Sequence, residues 1–144
     1  MKFEEFKTQN VLLAIDPGGT TGLALRTDTL LSTFTTKDPV DVWEILVGIK
    51  KSEAPHIQII IERYAGIFID KHGLATVEIV GGVTAICTIL HLHLARRTPV
   101  QRIPKKEEAR ELLLIVKGRG NFLDHEVDAL AHLLKWEQEH ENSR

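Results

Sequence analysis

Cysteine is all but missing from this chain of 144 residues: Cys87 stands alone. A lone thiol excludes an intramolecular disulfide framework and suits a reducing compartment, so a cytoplasmic location is expected. Cys87 itself reads as a small buried hydrophobe. The opening segment, Met1 to Lys7, carries acids and has no apolar centre, which excludes a signal peptide there. One apolar stretch, residues 74–95, approaches membrane length, but Glu78, His91 and His93 interrupt it and argue against a span. Internal repeats, low-complexity tracts and interdomain linkers are also missing. The expectation is one soluble domain across residues 1–144, with enough chain for an ordinary core.

A strong net charge is absent too. The total of −2 excludes an indiscriminate polycation, yet the charge is unevenly distributed. Between Ala95 and Gly120 eight basic residues face three acidic ones, which leaves the rest of the chain at −7. Much of that negative charge falls in the last segment, at Asp124, Glu126, Asp128, Glu137, Glu139 and Glu141. Such asymmetry fits a basic surface for a polyanion beside an acidic cluster for cations, and equally a set of solvated helix faces.

What is present is an order of strands and helices. Residues 11–16 and 21–25 read as strands joined by Pro17-Gly18-Gly19, and Thr29 to Thr35 reads as a third. Asp38-Pro39 marks a helix start, with Val42, Trp43, Leu46 and Ile49 at helical spacing. The β-branched run Ile57 to Ile61 predicts a buried central strand ending at Glu62. A helix is expected over 74–95, although Gly81 and Gly82 each weaken it by roughly 1 kcal/mol relative to alanine. The glycine pair fits either close helix approach or a local break. Val100 to Ile103 is expected as a fifth strand, with a helix from Pro104 to Leu114 and a last helix from near Asp124. The order βββαβαβαα predicts an α/β fold, a mixed five-stranded sheet flanked by helices.

Chemistry enters through acids at element ends. Asp16 ends one apolar strand and Glu62 another, and a carboxylate buried there needs a cation or hydrogen bonds. In the last helix His125 and Asp128 are three apart and share a face, while Ala129 lets the helix lie close to the sheet. If that face covers the strand ends, four ligand groups converge. Three carboxylates and an imidazole suit Mg²⁺ or Mn²⁺, and two such ions about 4 Å apart support phosphodiester hydrolysis. Each group taken alone also fits a structural role: Asp16 capping a turn, Glu62 pairing with a lysine, His125 and Asp128 capping or exposed. His91 and His93 are read as helix surface without a metal role, and His56, His72, His132 and His140 offer no constellation.

Ile15-Asp16-Pro17-Gly18-Gly19-Thr20-Thr21-Gly22-Leu23-Ala24 resembles the first motif of RuvC-type Holliday junction resolvases, within the ribonuclease H-like superfamily. Ile60-Ile61-Glu62-Arg63-Tyr64 is similar to that family's second acidic strand, and His125 to Ala131 to its C-terminal catalytic helix. The motifs span nearly the whole chain in the family's order. The resemblance implies a Mg²⁺-dependent homodimeric endonuclease of DNA recombination and repair. Such an enzyme nicks two strands of a four-way junction symmetrically, leaving 5′-phosphate and 3′-hydroxyl ends. Asp16, Glu62, His125 and Asp128 would be the catalytic metal ligands, with two ions per site, Mn²⁺ able to substitute, and water as the nucleophile. The loop after Glu62 would approach the junction, with Arg63 beside it and Tyr64 or Phe68 stacking on a base, worth about 1–3 kcal/mol. Lys105, Lys106, Arg110, Lys117 and Arg119 would contact phosphates, and the 74–95 helix would form the dimer.

Other classes fit parts of the pattern. Sugar-kinase and actin-like ATPases share the Asp-x-Gly-Gly-Thr opening, but they need a second domain for which this chain has little room. A ribonuclease H-like nuclease acting on RNA–DNA hybrids or flaps, and a catalytically silent dimeric DNA-binding module, also remain compatible with the sequence.

Overall fold

Side chains that alternate between the two faces of a sheet buried on both sides divide the molecule into layers. In the computed structural model, which describes residues 1–63, 71–118 and 123–141, five strands form one sheet. They are β1 (Asn10–Asp16), β2 (Thr21–Arg26), β3 (Leu31–Thr36), β4 (His56–Glu62) and β5 (His93–Arg97), in the order β3-β2-β1-β4-β5. The first three form an antiparallel meander, and β4 and β5 add parallel to β1. This is the mixed sheet flanked by helices that the element order predicts.

Val11, Leu13 and Ile15 of β1 and Ile59 and Ile61 of β4 face one side. There they meet α1 (Pro39–Lys51) through Val42, Leu46 and Ile49, and α2 (Lys71–Ile89) through Ile79, Val83 and Cys87. Leu12, Ala14, Ala24 and Ile60 face the other side. They pack against α3 (Lys106–Lys117) and α4 (Asp124–His140) through Ala109, Leu113, Val127, Leu130 and Leu133. Asp38 caps α1 as its pattern predicts, its carboxylate accepting from the Val40 N–H at 3.0 Å. Cys87 is the buried hydrophobe expected, and burial pushes its thiol up to about 11.

The helix expected over 74–95 stops at Ile89, and its last residues belong to β5 instead. The Leu92 N–H bonds the Cys87 carbonyl at 2.8 Å and the His91 N–H the Thr88 carbonyl at 3.4 Å, with His91 at φ 56°. This is the six-to-one, five-to-two closure that usually places glycine at the left-handed position. Here histidine occupies it, so the stop carried no glycine signal. His91 and His93 therefore lie in the turn and the following strand and not on the helix.

The fifth strand is accordingly His93–Arg97, and the expected strand at Val100–Ile103 is a 3-10 helix, Pro99–Lys105. The Thr98 N–H donates to Gln101 Oε1 at 2.8 Å, closing its first turn, and Val100 and Ile103 point outward. At the glycine pair α2 runs unbroken. A Cβ on Gly82 would lie 2.3 Å from the Trp43 ring of α1, whereas nothing lies within 4 Å of one on Gly81. Gly82 is a close-approach residue.

Among the described residues no helix is long and apolar enough to cross a membrane.

Candidate active site

The parallel register of β1 and β4 sets Ile15 opposite Ile61, so Asp16 and Glu62 follow side by side at neighbouring strand ends. Strand alternation turns both toward the α4 layer, with Ala14 and Ile60, and both are buried. Across the other edge of β1, Gly22 pairs with Asp16. A Cβ at Gly22 would sit 2.0 Å from the His125 carbonyl oxygen. The first turn of α4 thus rests directly on this glycine, which brings the His125 ring over the strand ends. His125 Nδ1 and Asp16 Oδ2 share a hydrogen bond of 2.8 Å.

Further ties fix α4 along its length. Near its start, buried Glu126 accepts from Thr33 Oγ1 of β3 at 2.8 Å and from Lys117 Nζ. Farther along, Arg26 reaches Glu137 at 3.2 Å. Arg97 grips Glu139 through two hydrogen bonds of 2.9 and 2.6 Å. A helix held at these points keeps Asp128, one turn after His125, facing the same sheet ends.

Glu62 and Asp128 meet through a third residue. Arg102, on the 3-10 helix, donates from Nη1 to Glu62 Oε1 and places Nε 3.2 Å from Asp128 Oδ1. Lys106 Nζ lies 3.5 Å from the same Asp128 oxygen. On the far side of Glu62, fully buried His132 places Nε2 3.4 Å from Oε2.

Burial, helped by the negative charge of Glu62, raises Asp16 from 3.8 to about 7, although His125 acts to lower it. The bond to Asp16 raises the imidazole of His125 above its usual range, against the effect of burial. For Glu62 burial acts upward, but His132, Asp16 and the Arg102 charge outweigh it and hold the group below the ordinary glutamate range. The two strand-end carboxylates are thus driven apart, one toward neutrality and one toward charge.

The four groups singled out in the sequence come together at one end of the sheet, Asp16 with His125 and Glu62 with Asp128. As the side chains stand, no three His, Cys, Asp or Glu groups among the described residues converge on one cation position. Glu62 Oε2 and Asp128 Oδ1 are buried without a well-formed hydrogen bond; His132 Nε2 lies beside the first, and the cations Arg102 and Lys106 beside the second. Carboxylate oxygens with one imidazole are a donor set that suits Mg²⁺ or Mn²⁺, so the residues fit such an ion.

The basic residues expected at phosphates are more dispersed. The Arg63 side chain is exposed, and its backbone N–H bonds the Arg97 carbonyl at 2.8 Å. Lys105 pairs with Glu108 at 2.9 Å and Arg110 with Glu107, while Lys106 faces Asp128. Lys117, expected at a phosphate, pairs with buried Glu126. Tyr64, Phe68 and Arg119 lie outside the described residues.

Two neighbours of the acids escaped the sequence reading. Arg102 was hidden inside a stretch read as a strand. His132 carried a signal, since it lies four residues after Asp128 and seven after His125 on one helical face.

No family model and no curated protein matches this sequence. Among solved structures the fold is similar to that of Thermus thermophilus RuvC, at 15% identity and a TM-score of 0.61, covering 92% of this chain and 96% of the other. It is also similar to T. thermophilus RuvC in complex with a Holliday junction substrate, at 17% identity and a TM-score of 0.60, covering 93% and 96%.

Proposed function

We propose that this chain is a divalent-metal-dependent endonuclease that resolves four-way DNA junctions by paired nicks, leaving 5′-phosphate and 3′-hydroxyl ends. One observation carries the reading: two carboxylates at adjacent parallel strand ends face a helix bearing His125-x-x-Asp128, with His125 Nδ1 2.8 Å from Asp16 Oδ2. The likeness to T. thermophilus RuvC in complex with a Holliday junction substrate favours branched DNA over other phosphodiesters. The reading treats residues 1–144 as one cytoplasmic nuclease domain.

Asp16, Glu62, His125 and Asp128 would hold the metal, two ions being the expected load. A bound divalent ion supplies Lewis-acid charge at the phosphate and lowers the pKa of water. Asp16 and His125 each give up a proton before they can serve as ligands, which their raised pKa values make harder below neutral pH. Glu62 is already ionised there. Fully buried His132 backs Glu62 from within α4, its Nε2 3.4 Å from Oε2. Lys106 and Arg63 stand near the strand ends as cations for the DNA backbone. In this reading the loop residues Tyr64 and Phe68 stack on junction bases, and Lys105, Arg110, Lys117 and Arg119 add phosphate contacts.

A dimer would place two such sites against opposed junction strands. Its support is a stripe of small and apolar residues along the outer face of α2, where Leu74, Val77, Gly81, Ala85 and Ile89 are exposed. The test is a set of single variants, Asp16→Asn, Glu62→Gln, His125→Ala and Asp128→Asn, assayed on labelled four-way junctions in Mg²⁺ and Mn²⁺. Each is expected to lose cutting by about a hundredfold or more while still binding the junction. Undiminished cutting by Asp16→Asn would remove the reading.

A further inference from the structure

We propose that Arg102 is an internal counter-ion that occupies the cation position between Glu62 and Asp128, so that a divalent ion binds only after the guanidinium swings away. The inference rests on the reading of these acids as metal ligands and concerns what controls their loading.

The structure gives Arg102 the contacts such a role requires. Nη1 donates to Glu62 Oε1, Nε lies 3.2 Å from Asp128 Oδ1, and Nη1 also reaches the Pro99 carbonyl at 3.3 Å. The planar fork of a guanidinium addresses two carboxylates in a fixed geometry, which the point charge of an ammonium does not impose. The acids sit where bare charge is hardest to keep, with side chains 10% and 12% exposed. Without a cation, two carboxylates so buried would repel each other and be driven toward protonation. Arg102 supplies that cation from within the chain, with Lys106 as a second positive charge 3.5 Å from Asp128 Oδ1.

The arrangement is also built to let go. The Arg102 side chain is 23% exposed, more than either partner, so it lies at the edge of the site next to solvent. It rides on the short 3-10 helix Pro99–Lys105, which packs against α4 but leaves Val100 and Ile103 exposed. A guanidinium and a divalent ion compete for the same oxygens, because like charges at that separation repel. The chain therefore has a closed state with Arg102 between the acids and an open state that accepts the ion. Apparent metal affinity is the intrinsic affinity reduced by the open fraction.

Mn²⁺ binding followed by electron paramagnetic resonance, with no DNA present, tests this on the full chain and on Arg102→Gln, Arg102→Lys and Asp128→Asn. Arg102→Gln is expected to bind Mn²⁺ about tenfold tighter than the unaltered protein, corresponding to a closed state populated near nine-tenths. Arg102→Lys is expected to fall between them, because it keeps the charge and loses the fork. The metal-free melting temperature of Arg102→Gln should drop and then recover on adding Mn²⁺. Unchanged or weaker Mn²⁺ binding in Arg102→Gln, with binding lost in Asp128→Asn, overturns the proposal and leaves the acids as ligands. Mn²⁺ binding that Asp128→Asn does not alter overturns the ligand reading and the proposal with it. Should Arg102→Gln not fold without metal, Arg102→Lys decides, and an affinity equal to that of the unaltered protein contradicts the proposal.

Discussion

Asp16 is a carboxyl group held where ionisation is expensive, and its behaviour follows from that. Because burial raises it to about 7, the folded state favours the neutral acid. Its contribution to stability is therefore complete below the ordinary value of 3.8 and lost as pH rises through 7. His125, raised by the same partnership, acts in the same direction, its contribution disappearing as pH climbs past its own elevated pKa. The metal-free protein is thus expected to melt at a lower temperature at pH 8 than at pH 5. Asp16→Asn should recover about 3 °C or more at pH 8 and change little at pH 5, which differential scanning fluorimetry would show. Metal reverses the trend, since a cation needs both groups deprotonated, so Mn²⁺ affinity should weaken from pH 8 to pH 6. In His125→Asp the imidazole part of that loss should vanish, and an unchanged binding profile would speak against His125 as a ligand. Glu62 depends on its buried neighbour: His132→Leu should raise the Glu62 titration midpoint, read by carbon NMR of the labelled carboxyl.

The elements that carry the acids were legible because their signals are periodic and local. The hairpin around Pro17-Gly18-Gly19, the β-branched run into Glu62, and the His125/Asp128 face each announce themselves within a few residues. Sequence could not announce the stop of α2, because His91 holds a left-handed position where glycine is the usual sign. That single disguise displaced the fifth strand and hid the 3-10 helix, so Arg102 was read inside a strand and its place between Glu62 and Asp128 was missed. The burial of Glu126 with Lys117 and Thr33 was also invisible, since it joins residues as far as 93 positions apart. Close approach of elements rests on two glycines. Gly22→Ala puts a methyl against the His125 carbonyl, where backbone and not a flexible side chain must yield. It is expected to cost about 1–3 kcal/mol in urea denaturation, and to reduce Mn²⁺ affinity by shifting His125 away from Asp16. Gly82→Leu should cost a similar amount against Trp43 without altering Mn²⁺ affinity, because it separates α1 from α2 on the opposite layer.

At the scale of the molecule, the proposed chemistry and the proposed assembly lie on different faces. The acids gather where the sheet meets α4, while the exposed apolar stripe runs along α2 on the other layer. Two copies joined through α2 would leave both acidic ends open to DNA. Sedimentation equilibrium should then report twice the 16.2 kDa chain mass, and Val77→Lys with Ala85→Glu should return it to a single chain without loss of Mn²⁺ binding. Junction cutting by such a monomer should yield single nicks in place of paired ones. The most direct test of the whole account is strand-resolved mapping of nicks on a four-way junction whose four strands are labelled in turn, beside matched duplex and RNA–DNA hybrid, in Mg²⁺. The account predicts two nicks at symmetric positions on opposed strands, religatable by DNA ligase, with duplex and hybrid left intact. Cleavage of the hybrid with the junction untouched, or binding of the junction with no strand cut in either Mg²⁺ or Mn²⁺, would contradict it.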